Sequence, residues 1–188
     1  MDRVRCNQKT ISHNNNINKI YITLLSILTI TMTLSSPSAG AMTVHAIYEA
    51  PSTDTTPILE LGFPEHTTLV SMADIESLPL YKTDNMNHFD GPSGQFYGVW
   101  LNDLLAKYHL ENAPRLRFTA LDGYEVFIDQ ANRKKRQYFL ATRLNNLPIT
   151  ADNLGPLMLL IPYDLNLPVN QAESKSRWIW ALHTIIAQ

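Results

Sequence analysis

The spacing of apolar residues changes period near residue 110. From Val99 to Leu110, "VWLNDLLAKYHL" places Leu101, Leu104, Leu105 and Tyr108 at i, i+3, i+4 and i+7, which is one apolar face of a helix. Asn102 or Asp103 supports its start, Lys107 and His109 fall in its last turn, and Pro114 marks its exit. Beyond Pro114, "RLRFTAL" and "YEVFID" alternate polar and apolar residues with the two-residue period of half-buried strands. Between them stands Asp122-Gly123, a pair able to supply the positive φ angles of a two-residue type I′ turn. Phe118–Asp129 is therefore predicted to be a β-hairpin. Asp122 and Tyr124 are either plain turn chemistry or the lip of a binding site.

Elsewhere the strand period dominates. "TTLVSM" (Thr67–Met72) reads as a strand, and "ADIESL" as one or two helical turns. Ser71 is available as its N-cap, with Asp74 and Glu76 near the positive end of its dipole. "PLYKTDNM" is extended and "NHFDGPSG" is a loop. "QANRKKR" is a basic loop or helical turn, "QYFLATRL" a strand, and "NNLPITADNLGP" a turn-rich connection. "LMLLIPYD" is an apolar strand ended by Pro162. "SRWIWALHTIIA" is predicted as a last strand, with Trp178, Trp180 and Leu182 alternating against Ile179 and Ala181. Six or seven strands and two short helices make an α+β or mostly β domain.

The first forty residues follow different rules. Arg3, Arg5, Lys9 and Lys19 precede the apolar and hydroxyl run Ile20–Leu34, and Ala39-Gly40-Ala41 supplies an A-x-A pattern. That order predicts a secretory signal peptide over residues 1–41. An uncleaved anchor is the rival, but the run is shorter than the ~20 residues that span a bilayer. Cys6, the only cysteine, precedes the apolar run, so it is not placed as a lipoprotein cysteine. The chain after Ala41 has no cysteine, hence no disulfide and no thiolate ligand. It keeps 11 basic and 16 acidic residues, a net charge of −5. Such a balance disfavours general nucleic-acid binding, which depends on neutralising phosphates. The expected product is a small periplasmic protein, with an extended segment at 42–66 and a domain at 67–188.

Familiar catalytic motifs do not occur. There is no G-x-S-x-G, Gly-rich phosphate loop, H-E-x-x-H or C-x-x-C-H. His45, His66, His88, His109 and His183 have no short ligand spacing. "RKKR" (Arg133–Arg136) is either a solvated basic face or a hold for an anion. Trp178 and Trp180 are either core residues or the rim of a pocket for a flat heterocycle.

Five pieces in order carry a resemblance: "FYGVWLNDLL" (96–105), "ALDGYEV" (120–126), "YFLATRLNNLP" (138–148), "GPLMLLIP" (155–162) and "WIWALHTI" (178–185). Together they resemble the molybdopterin-binding domain of oxidoreductases, the sulfite-oxidase-like fold, from about Thr67 onward. The resemblance implies a single mixed, mostly β domain with short helices, holding a pterin in a cleft formed by its loops. Enzymes of that family fix molybdenum with a cysteine on the extended segment before the helix. Here that segment is "LPLYKTDNM", with Thr83 or a neighbour at the ligand position. A neutral hydroxyl is a poor replacement for a soft anionic sulfur.

The resemblance therefore implies a non-catalytic, metal-free pterin binder. It further implies that such small exported proteins report pterin occupancy to the periplasmic sensor region of a membrane-bound cyclic-di-GMP enzyme, with the membrane reached only through that partner. The pterin-binding residues it implies are Thr83, Asp122, Tyr124, Arg143, Tyr163 (followed by Asp164), Arg177 and Trp178. Each also has a plain role: Asp122 as turn former, Tyr124 as cross-strand packing, Arg143 as a surface ion pair, Trp178 as core. Two further readings stand beside this one. The first is a molybdopterin-dependent oxidoreductase with non-cysteine ligation, and the second is an interaction module whose pocket has decayed.

Overall fold

Alternating strands bring rows of apolar side chains to one face, and two sheets are built on such rows. The computed structural model describes residues 42–87, 91–165, 167–168, 170–173 and 175–188. The expected signal peptide lies outside the described residues, as does part of the "NHFDGPSG" loop. In chain order the strands are β1 (Val44–Ala46), β2 (Pro57–Phe63), β3 (His66–Ser71), β4 (Tyr81–Thr83), β5 (Met86–Asn87), β6 (Ser93–Gly94) and β7 (Phe96–Trp100). They continue as β8 (Arg115–Ala120), β9 (Glu125–Asp129), β10 (Phe139–Leu144), β11 (Leu147–Pro148), β12 (Met158–Leu160) and β13 (Leu182–Ala187). Three short helices join them: α1 (Met72–Glu76), α2 (Leu101–Lys107) and α3 (Gln130–Lys135). The architecture is mixed α+β, dominated by sheet.

One sheet runs β1-β4-β7-β10-β11, with β12 also paired to β10; the other runs β3-β2-β13-β8-β9. In the second sheet β13 pairs parallel with β2 and antiparallel with β8. Its registry aligns Leu61, Ile185, Phe118 and Val126 in one inward row, all buried. Leu59 of β2 is buried too. The boundary expected between residues 66 and 67 thus falls inside the β2–β3 hairpin. Pro57, Pro64 and the polar residues around them obscure a strand that carries two core leucines.

The predicted Ser71 cap is present as a reciprocal capping box with Asp74. In α2 the predicted face is buried through Leu101, Leu104 and Leu105. "FYGVW", ahead of it, forms β7, and Gly98 is where β7 and β10 approach closely. A Cβ there would stand 2.0 Å from the Leu140 carbonyl oxygen.

The β8–β9 hairpin forms, but by a different turn. Ala120 N–H bonds the Tyr124 carbonyl and Gly123 N–H bonds the Ala120 carbonyl, leaving three residues in the loop. Only Gly123 takes positive φ, at +85°. This is the three-residue alternative to type I′, with glycine at the left-handed position. The last predicted strand also differs. Ile179 bridges Leu159, Ala181 adopts φ +46°, and β13 begins at Leu182. Trp178 and Trp180 therefore do not project from one face of a single strand, and Trp178 lies in the core. Nor is "RKKR" one solvated face. Arg133 is 2% exposed and donates to the Ile128 and Ala113 carbonyls.

Candidate functional site

Arg136, at the end of α3, lines a polar pocket and pairs with Asp164, on the turn after β12. Asp164 is 4% exposed; one of its oxygens accepts from Arg136 Nη1 at 2.6 Å and the other from the Glu173 N–H at 2.6 Å. Arg136 also donates to the Gln171 carbonyl. Segment 171–173 is thereby tied to α3 by charge-assisted bonds.

Glu173 in turn accepts from Arg177 Nη1 at 2.7 Å, an i,i+4 pair. The Tyr138 hydroxyl lies 3.5 Å from the same carboxylate oxygen. The Asn132 amide, with its oxygen turned toward Arg177, accepts at 2.8 Å. Burial, with the Glu173 charge beside it, pushes the Tyr138 hydroxyl up to about 12. Burial works against the Arg177 charge, but its bond to Tyr138 and the nearby Glu173 carboxylate hold its pKa above the usual value.

The resulting pocket has a volume of about 500 Å³ and is lined by Asn132, Lys135, Arg136, Asn170, Gln171 and Glu173. That lies in the ordinary range of small-molecule sites, about 300–1,000 Å³. Its walls offer donors from guanidinium and amide groups and acceptors from carboxylate and carbonyl oxygens. That set suits a ligand with both kinds of polar edge.

None of the residues named from the sequence as pterin contacts lines this pocket. Arg177 belongs to its ion-pair network. Tyr124 donates to the Ser176 carbonyl at 3.0 Å, while Asp122 accepts from the Tyr124 N–H at 3.0 Å. The hairpin tip therefore touches the turn that carries Arg177. Trp178 follows directly and is 5% exposed. Tyr163 adjoins Asp164 and stacks on Trp100, with ring centroids 5.9 Å apart and planes 20° apart.

Thr83 and Arg143 make their contacts apart from this network. Thr83 is buried and its hydroxyl accepts from the Phe96 N–H at 3.0 Å. Arg143 lines a separate cleft of about 320 Å³ with Glu76, Ser52 and Asn146. There its guanidinium binds Glu76, Asn146 Oδ1 and the Ala50 carbonyl. Burial would raise the Glu76 pKa, but bonds from Arg143, Thr142 and the Ser52 N–H hold it below the usual range. Glu173, Tyr138 and Asn132 were not singled out from the sequence, and Arg136 was named only within the basic run 133–136. The i,i+4 spacing of Glu173 and Arg177 was the available signal.

Among the described residues, no group of three or more His, Cys, Asp or Glu is arranged to hold a metal ion. Among them, too, no helix is long and apolar enough to cross a membrane. Fold and site define a sheet-dominated α+β domain with an ion-paired polar pocket. Models of known protein families give no match to the chain, and neither do characterised proteins.

Proposed function

We propose that this chain is a non-catalytic periplasmic pterin-binding protein of sulfite-oxidase-like fold. In this reading it regulates a membrane-bound cyclic-di-GMP enzyme through that enzyme's periplasmic sensor region. One observation carries it: the segment to which the resemblance assigns the metal's thiolate offers Thr83 or a neighbour instead, and Thr83 is a buried hydroxyl already committed to the Phe96 N–H. Cys6, the only sulfhydryl in the sequence, precedes the apolar run. The residues at hand thus do not fit a molybdenum ligand set, which calls for a soft anionic donor. They do suit a metal-free heterocycle, since a pterin presents an amino and ring N–H edge to carboxylate or carbonyl and an oxo group to donors. The pocket beside Arg177, with Tyr124 on the adjoining turn, supplies both.

Calorimetry and thermal-shift measurements with oxidised, dihydro- and tetrahydropterins test this reading. Binding of at least one pterin, weakened in Arg177→Ala, is the expected result. No heat and no stabilisation with any of them overturns it. Molybdenum above background in protein produced with an intact cofactor pathway would instead favour the oxidoreductase reading.

A further inference from the structure

Residues 47–56 join β1 to β2 without regular secondary structure. From Tyr48 to Thr56 they are exposed, apart from the half-buried Ser52, so this strap puts no apolar side chain into the core. What holds it is polar. The Ile47 N–H bonds the Leu80 carbonyl at 3.0 Å and the Ala73 N–H bonds the Asp54 carbonyl at 2.9 Å, which fixes the two ends. Between them, the Ala50 carbonyl accepts from Arg143 Nη2 at 2.8 Å and the Ser52 N–H donates to Glu76 Oε2 at 2.6 Å. A segment secured by a few bonds at the surface opens at less cost than one anchored by buried side chains.

The two middle bonds end on atoms that touch each other, since Arg143 Nη2 also donates to Glu76 Oε2. The ion pair therefore presents one donor and one acceptor side by side. The strap answers with a carbonyl and an N–H from the two residues that flank Pro51. A carbonyl next to an N–H within one ring, the lactam edge of a planar heterocycle, offers the same pair on a rigid group that needs no ordering. The cleft of about 320 Å³ at this point is lined by the strap and by Met72, Thr142, Asn146 and Pro148. Its selectivity has a physical origin. The Glu76 side chain is 0% exposed, so withdrawing the Ser52 N–H strips a buried charged oxygen of a donor unless another donor replaces it.

We infer that the cleft at Arg143 and Glu76 binds the lactam edge of a planar heterocycle, the edge that pterins and uracil share, and that the 48–54 strap fills this site in cis until the ligand displaces it. Arg143 and Glu76 stay paired throughout. The ligand carbonyl takes the place of the Ala50 carbonyl on Nη2, and its N–H takes the place of the Ser52 N–H on Oε2. This cleft is separate from the pocket beside Arg177, so the inference does not rest on what that pocket holds.

The test titrates the full chain by calorimetry with pterin, with uracil and with 1,3-dimethyluracil, which lacks the N–H. Ser52→Pro removes the strap's donor and leaves Arg143 and Glu76 in place. Because the ligand competes with the strap, its apparent affinity follows the fraction of molecules with the strap open. Ser52→Pro is expected to tighten binding of pterin, uracil or both by about tenfold, the worth of one bond to a charged group. Pro51→Gly, which only loosens the strap, tightens it by about threefold. 1,3-Dimethyluracil binds none of the three proteins, and hydrogen exchange across residues 48–54 of the wild type speeds up when ligand binds. Tightening with pterin alone or with uracil alone supports the inference and identifies the source of the lactam. Equal affinity in wild type and both variants, binding of 1,3-dimethyluracil as strong as that of uracil, slower exchange across 48–54, or no heat with either ring in any of the proteins overturns it. Pterin binding that Arg177→Ala weakens and both strap variants leave unchanged upholds the pterin reading while overturning this inference.

Discussion

Removing the Arg143 side chain should cost far more than the loss of an ordinary ion pair. The Glu76 carboxylate has a side-chain exposure of 0%, and Arg143 reaches it through two nitrogens, Nε at 2.9 Å. The same guanidinium holds the Ala50 carbonyl at 2.8 Å, and Glu76 holds the Ser52 N–H at 2.6 Å. Arg143→Ala leaves a buried carboxylate without its cation and frees the 50–52 segment. Breaking a buried pair from one side costs about 3–5 kcal/mol, which for a domain near 150 residues lowers Tm by about 10 °C. Urea denaturation and thermal melts of Arg143→Ala measure the loss. The double variant Glu76→Leu/Arg143→Met, which removes both charges, should recover much of it.

The sign with pH follows from the lowered pKa of Glu76. Its contribution is complete above the unfolded carboxylate value of about 4.5 and is lost as pH falls through the lower folded value. The gap between wild type and Arg143→Ala should therefore narrow on acidification. A loss below about 1 kcal/mol, the range of exposed pairs, would refute the account, and so would a gap that stays constant into strong acid.

Three other outcomes are expected. Thr83→Val leaves the Phe96 N–H unsatisfied in the core, and chemical denaturation should register a loss of about 1–3 kcal/mol. Gly98→Ala drives a Cβ to 2.0 Å from the Leu140 carbonyl oxygen, so circular dichroism should report failure to fold or a much lower midpoint. Gly123→Ala meets nothing within 4 Å but forces alanine into φ +85°. Its cost, read by the same denaturation assay, should be about 1–2 kcal/mol.

Features set by neighbours in sequence were the legible ones. Ser71 capping α1, the Leu101–Leu105 face of α2 and the β8–β9 hairpin each rest on residues a few positions apart. What escaped depends on distant partners. Arg143 reads as a possible ligand contact until Glu76, 67 residues earlier, is seen to occupy it. Arg133 reads as a surface cation because the carbonyls it binds belong to β9 and to the turn before β8. The break at Ala181 is invisible in an alternating Trp-Ile-Trp-Ala pattern, since nothing there marks positive φ. The same holds for the pocket's network: Arg177 was named through the resemblance, whereas Arg136 and Asp164, 28 residues apart, become a pair only in the fold.

The place of β13 in its sheet sets an order of events. This strand is the last of the chain, yet it sits between β2 and β8 and supplies the middle of the apolar row. Neither the β2–β3 hairpin nor the β8–β9 hairpin can bury its inner face against the other until residues 182–187 arrive. Contacts of such wide sequence separation slow folding, and they leave both hairpins waiting as open ribbons. The protein's assembly is thus gated by its final strand, and the edges of β2 and β8 that flank its place stay open until it arrives.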